Sequence, residues 1–325
     1  GWCVEFVSRL DRGAEEQSCA TQILSTLATR AYRRPVSDQD IDLLLGFYAQ
    51  GRETGGNFNS GIQFALEFML SDPDFLIRSY SVPADSPTGE TFPISDLELA
   101  SRLAFFLWSE APDEQLLDLA QQGQLSNPEV LEQQVRRMLD DSRGVTTLVE
   151  DFAAQWLNLR RLDEVQINTV VFPNYDLSLI EGFRQETQLF VADTIESDSS
   201  VMDLLGANHS YLNERLADHY GVEGIYGSRL RKTQLPNRNQ RGGLLSMGAL
   251  LTVTSYPGRT SPVLRGKWLL DNLLETQPPP PPANVPILPD AEAGEVPTSI
   301  RERLARHRAD PVCASCHVVI DPLGF

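Results

Sequence analysis

The chain has 325 residues, with 27 Lys and Arg against 45 Asp and Glu, a formal charge of −18 at pH 7. Such a balance repels nucleic acid and anionic lipid, and no apolar run approaches the roughly 18 residues that a membrane-spanning helix needs. A hydrophobic content of 41% argues against wholesale disorder and suits a soluble protein with a sizeable core.

In chain order, almost every periodic segment has helical spacing. Ile23, Leu24, Leu27 and Ala28 share one face of a helix over about 19–32. Ser37, an N-cap after Pro35, opens a second helix carrying Ile41, Leu44, Leu45 and Tyr48. A third, over 60–70, carries Ile62, Ala65, Leu66 and Met69. These three form an N-terminal helical domain, 1–81, and residues 82–91 read as a linker.

A central helical domain is expected over 92–235. Ser95 and Glu98 make a capping box, with Ile94 able to staple onto Leu99. Ser126 and Glu129 repeat that box before a helix ending near Asp141. Further helices are expected at about 144–158, 177–196 and 211–220. The second of these is acidic; Glu186 and Asp193 share a face, which reads as solvated rather than as a carboxylate metal site. Strand-like alternation is nearly absent, and 165–170 is its best candidate.

From 236 the composition changes. Arg238, Arg241, Arg259, Arg265 and Lys267 make a basic stretch in an acidic chain. A helix over about 262–275 precedes five prolines, Pro278 to Pro282, which cannot be helical and read as a stiff spacer. The segment 236–282 is thus a helical region with a proline spacer, and 283–325 a short segment whose last helix, about 298–308, leads into Cys313. The fold class is all-α: a multi-helix body of two or more helical subdomains, a proline-rich spacer and a short C-terminal segment.

Cys313-Ala314-Ser315-Cys316-His317 is the spacing of covalent haem c attachment. Two residues between the thiols let one helical turn offer both sulfurs to one porphyrin edge, and the adjacent imidazole then reaches the iron. With four Cys and four His in 325 residues, a chance match is expected roughly 0.0006 times, so the signal is strong. A zinc site lacks a second CxxC or His pair nearby, and a thioredoxin-like dithiol lacks its βαβ setting. Cys3 and Cys19 are left either as a disulfide or as two buried thiols. Haem attachment implies export to the periplasm or beyond.

The sixth iron ligand is open among Met69, Met138, Met202, Met247, His209, His219 and His307. Met69 and Met138 fall on apolar helix faces. Met247 is favoured because Gly242, Gly243 and Gly248 around it would let a porphyrin approach. Arg259 and Arg265 are candidate propionate partners.

Arg30–Val36, Leu212–Leu216, Thr260–Trp268 with the proline run, and His307–Phe325 together carry a resemblance. The chain resembles the large cytochrome-c-like proteins abundant in planctomycetes and related bacteria, built largely from domains of unknown function. The resemblance implies an exported, haem-bearing protein and carries over Cys313, Cys316 and His317. Relative to the longer family pattern the chain lacks an N-terminal cytochrome domain and a segment after Phe325, and Gly1 is no initiator Met. It is therefore expected to be a processed form or part of a larger chain or complex. The leading expectation is electron transfer with an unidentified redox partner protein. A peroxidase-like haem enzyme with an open distal face, and a cell-surface binding scaffold with structural haem, stand as alternatives.

Overall fold

Most helix-start signals of the sequence are answered in the computed structural model, which describes residues 13–78, 82, 89, 91–236, 241–278 and 299–325. The packing divides the chain into two units, one ending at Leu148 and one beginning at Val149.

In the first unit, α1 spans Gly13–Tyr32, α2 Asp38–Gly55 and α3 Phe58–Ser71. Ser37 caps α2 as expected. Its hydroxyl accepts the Asp40 N–H at 3.2 Å while the Asp40 carboxylate accepts the Ser37 N–H at 2.7 Å. Gly56 ends the helix at φ 72°, a left-handed conformation that a Cβ would strain. The predicted apolar faces meet in one cluster containing Leu24, Ala28, Leu44, Ala65 and Met69. A Cβ on Gly61 would stand 2.6 Å from the Tyr48 ring, so glycine permits this close crossing.

The second cluster of this unit joins α4 (Asp96–Trp108), α5 (Glu114–Gln121) and α6 (Pro128–Asp140), and α7 (Ser142–Thr147) packs on α4 and α6. Ser95 and Glu98 form the expected capping box. The second box is corrected: Asn127, not Ser126, caps α6, because Pro128 takes the first helical position, where its missing N–H costs nothing. Met138 is buried here, and its carbonyl accepts the Trp108 indole N–H at 3.0 Å. The helix expected over 144–158 is broken: α7 stops at Thr147, and a π-helical turn, Leu148–Ala153, leads into the short turn Ala154–Trp156.

In the second unit, α8 spans Leu177–Glu196, β1 His209–Leu212, α9 Glu214–Tyr220, β2 Arg231–Gln234, α10 Gly248–Val253 and α11 Pro262–Asn272. The strands pair antiparallel, with His209 opposite Gln234 and Leu212 opposite Arg231. Residues 165–170 are not a strand, since Asn168 donates its N–H to the Pro257 carbonyl and the chain turns there. The segment 211–220 is strand before it is helix, with Asn213 capping α9 at the switch. Among the described residues helices otherwise dominate, and the class is all-α with one small strand pair. No described helix is long and apolar enough to cross a membrane.

The unit closes with α12, Ile300–His307, and α13, Pro311–Leu323. α13 packs on α11 through two glycines. A Cβ on Gly266 would lie 1.9 Å from the Ile320 carbonyl oxygen, and one on Gly324 would lie 1.8 Å from that of Pro262. Arg265 ties the pair by donating to the Gly324 carbonyl at 3.0 Å. Of the proline run only Pro278 lies within the described residues, and Arg238 lies outside them. Cys19 is disulfide-bonded, whereas Cys313 and Cys316 are free; Cys3, the expected partner of Cys19, lies outside the described residues.

Candidate cofactor site on the last helix

Asp310 starts α13 by accepting the Val312 N–H at 2.8 Å, and Pro311 supplies the first helical residue. Cys313, Cys316 and His317 therefore stand three and four residues apart on one helix face. Both thiols are half-buried. The helix also shows unusual apolar exposure: Val312 is 62% exposed and Val318 61%, and the Phe325 ring lies beyond, 3.9 Å from the Arg301 guanidinium carbon.

His317 is oriented from behind. Its Nδ1 lies 2.8 Å from Oδ1 of Asp321, one helical turn on, and Asp321 is 0% exposed. A carboxylate accepts, so this contact places the proton on Nδ1 and leaves Nε2 with a free lone pair. An acceptor behind one ring nitrogen is the arrangement that fixes a histidine as a metal ligand and makes it a stronger donor. Arg308 Nη1 stands 3.4 Å from the other carboxylate oxygen, an ion-pair distance, and that oxygen has no hydrogen bond.

The arrangement fits a covalently held haem. The two sulfurs are free and accessible, the imidazole presents Nε2, and exposed valines flank them where an apolar macrocycle would cover them. Among the described residues no three His, Cys, Asp or Glu are grouped to hold an ion. Asp321 and Arg308 were not singled out in the sequence, although an Asp four residues after a ligating His on a helix is a legible signal.

The other candidate ligands are scattered. Met69 and Met138 are core residues of the first unit, and Met202 is exposed. His209 lies 3.5 Å from Asp193 and beside Phe190. The His307 ring meets that of His317 edge-on at 4.8 Å, leaving no space for a porphyrin between them. Met247 is 2% exposed at the start of α10, which packs on α8 and on the turn Leu159–Asp163, whereas α13 packs on α11 and α12. Arg259 and Arg265 line a cavity to which α13 contributes no wall.

One buried acid lies elsewhere in the unit. Glu186, on α8, is 1% exposed rather than on a solvated face. Ser210 donates to it at 2.5 Å and Tyr220 at 2.6 Å, while Tyr220 accepts the Gly248 N–H at 2.9 Å. Burial raises its pKa to about 7 against the pull of those hydrogen bonds and of the Arg241 charge. Asp193, seven residues on, pairs instead with Lys232 at 2.7 Å.

Three family models match the chain in succession. Residues 19–79 match PSD5, a protein of unknown function (DUF1595), residues 94–222 match PSD4, a protein of unknown function (DUF1592), and residues 241–325 match PSCyt3, a protein of unknown function (DUF1588). The middle match crosses the division between the two units at Leu148. No curated protein and no solved structure matches.

Proposed function

We propose, the chain being a member of the planctomycete-type cytochrome-c-like proteins assembled from domains of unknown function, that it is an exported c-type haem protein working in electron transfer. The observation that carries this reading is the face of α13, where Cys313, Cys316 and His317 align and Asp321 holds the imidazole from behind. When bound, the haem supplies one-electron chemistry. The chain's own contribution is to anchor the macrocycle at two sulfurs, to present Nε2 of His317, and to keep Nδ1 protonated against a buried carboxylate. Export follows from covalent maturation outside the cytoplasm, and the −18 charge favours a basic redox partner.

The test is the intact mass and visible spectrum of the full chain made with c-type maturation machinery. One covalently added haem, abolished by C313S/C316S, supports the reading; a colourless chain with free thiols ends it. Met247, the sixth ligand favoured by sequence, is tested by M247A. Loss of a low-spin spectrum keeps it, and an unchanged spectrum removes it.

A second reading, a haem enzyme with an open distal face, draws on the His317–Asp321 contact, since a carboxylate accepting from Nδ1 would make His317 a stronger donor to a bound iron. A high-spin ferrous form that binds carbon monoxide supports it over electron transfer.

A further inference from the structure

The second unit holds a cavity of about 530 Å³ that the haem reading does not use. Its volume lies within the range of small-molecule sites. Five aromatic rings line it: Phe172, Tyr175, Phe183, Tyr220 and Tyr256. The floor is firm. Leu179 and Phe183 are 1% and 3% exposed, and Gly248 leaves the Phe183 ring its seat, since a Cβ there would collide with it.

The wall also keeps its shape. The segment carrying Phe172 and Tyr175 is tied by Asn168 to the Pro257 carbonyl and by Asp176 to Arg215, 3.0 Å away on α9. Two of the rings are held by cations: Arg241 lies 3.8 Å over Tyr220, and Arg259 lies 4.6 Å over Tyr256. Rings fixed in this way meet an aromatic guest with little further ordering cost.

The charge of the wall narrows the guest. Arg241, Arg259 and Arg265 line the cavity, and among the described residues no carboxylate does, so a cation is repelled. The Arg241 charge already acts on buried Glu186, which holds the Tyr220 hydroxyl, so the wall calls for no anion to balance it. A neutral molecule is left.

The hydrogen-bonding groups narrow it further. His219 lines the cavity between two rings, Phe183 at 5.2 Å and Tyr220 at 5.3 Å. Partial burial and the charges of Arg241 and Arg215 push its pKa below the ordinary range, so at pH 7 the imidazole is neutral and one ring nitrogen accepts. Ser255, also in the wall, gives its hydroxyl hydrogen to the Leu251 carbonyl at 2.6 Å and keeps only lone pairs to offer. The guanidiniums only donate. A hydroxyl, which donates and accepts, matches this mixture, whereas an ether oxygen only accepts.

We propose that this cavity binds a neutral phenol, its ring among the five aromatic side chains and its hydroxyl donating to His219. The site stands apart from the haem reading, since no residue of α13 lines it.

Calorimetric titration of the full chain with 4-ethylphenol at pH 7 tests it. Saturable one-to-one binding is expected. 4-Ethylanisole, which lacks the O–H, should bind about tenfold more weakly. So should 4-ethylcyclohexanol, which lacks the aromatic ring. 3-Phenylpropionate and tyramine, an anion and a cation, should both bind less tightly than the phenol. H219F should weaken the phenol by about tenfold and leave the anisole unchanged, while H219Q, which keeps an acceptor, should recover part of the loss. Val171 is 50% exposed, so V171W can fill the cavity mouth without disturbing the core and should abolish binding. No saturable binding, an anisole that binds like the phenol, or tighter binding of either charged probe overturns the proposal. So does an H219F chain that binds the phenol like the parent, or phenol binding that survives V171W.

Discussion

Both units pair surface carboxylates with basic side chains, but the second also buries two of them. In the first, Asp40 and Glu16 are tied to surface-accessible arginines. Arg34 grips Asp40 at 2.8 Å and Arg52 grips Glu16 at 2.5 Å, each depressing the acid's pKa. In the second, Glu186 and Asp321 are taken almost wholly out of water. Glu186 has no arginine partner, only two hydroxyls, and burial wins, raising its pKa. Asp321 faces the His317 imidazole at 2.8 Å and the Arg308 guanidinium at 3.4 Å. Paired surface acids are incremental staples. A buried acid is costly enough that its presence points to a task, orienting His317 in one case and bracing the wall at Tyr220 in the other.

That contrast can be broken by mutation. D321A should have the largest effect, because it strands Arg308 and leaves Nδ1 of His317 without an acceptor. A loss of roughly 3–5 kcal/mol in denaturant unfolding is expected, with D321N, which keeps an acceptor oxygen, losing clearly less. Parity between D321A and D321N would reduce Asp321 to filler.

E186Q comes next and sharpens the contrast through pH. Folded Glu186 holds its proton up to about pH 7, whereas the unfolded side chain releases it near 4.5. Between those values the native state binds the extra proton, so stability falls as pH rises, by roughly 3 kcal/mol in all. Thermal midpoints from pH 4.5 to 8 should show this decline in the parent and lose it in E186Q.

The smallest effect belongs to the first unit, and its sign is opposite. Asp40 releases its proton more readily folded than unfolded, so its stabilisation is present above pH 3.8 and lost as pH falls further. D40N should cost about 1 kcal/mol at pH 7, with Arg34 one-third exposed and screened and the capping box weakened. The cost should vanish in strong acid. A stability loss in E186Q at neutral pH as large as that in D40N would invert the comparison.

Much of this was readable residue by residue. Ser37 and Ser95 announced their helices because a cap needs only its own N3 residue. The alignment of Cys313, Cys316 and His317 followed from 3.6-residue periodicity, which needs no partner from elsewhere. Ser126 misled because Pro128 beside it moved the cap to Asn127, a contest between two local signals. Glu186 misled for a different reason. Its neighbours on α8 look like a charged face, and its partners Ser210 and Tyr220 lie 24 and 34 residues away.

The sequence by itself determined the helices, their caps, the alignment of the thiols with the imidazole and the acidity of the chain, all set by contacts within a turn or by composition. Only the tertiary structure decided that Asp321 is buried behind His317, that Glu186 leaves water, and that arginines 241, 259 and 265 share one cavity. Burial is a property of what packs over a residue, and distant segments supply that cover only once the chain has folded.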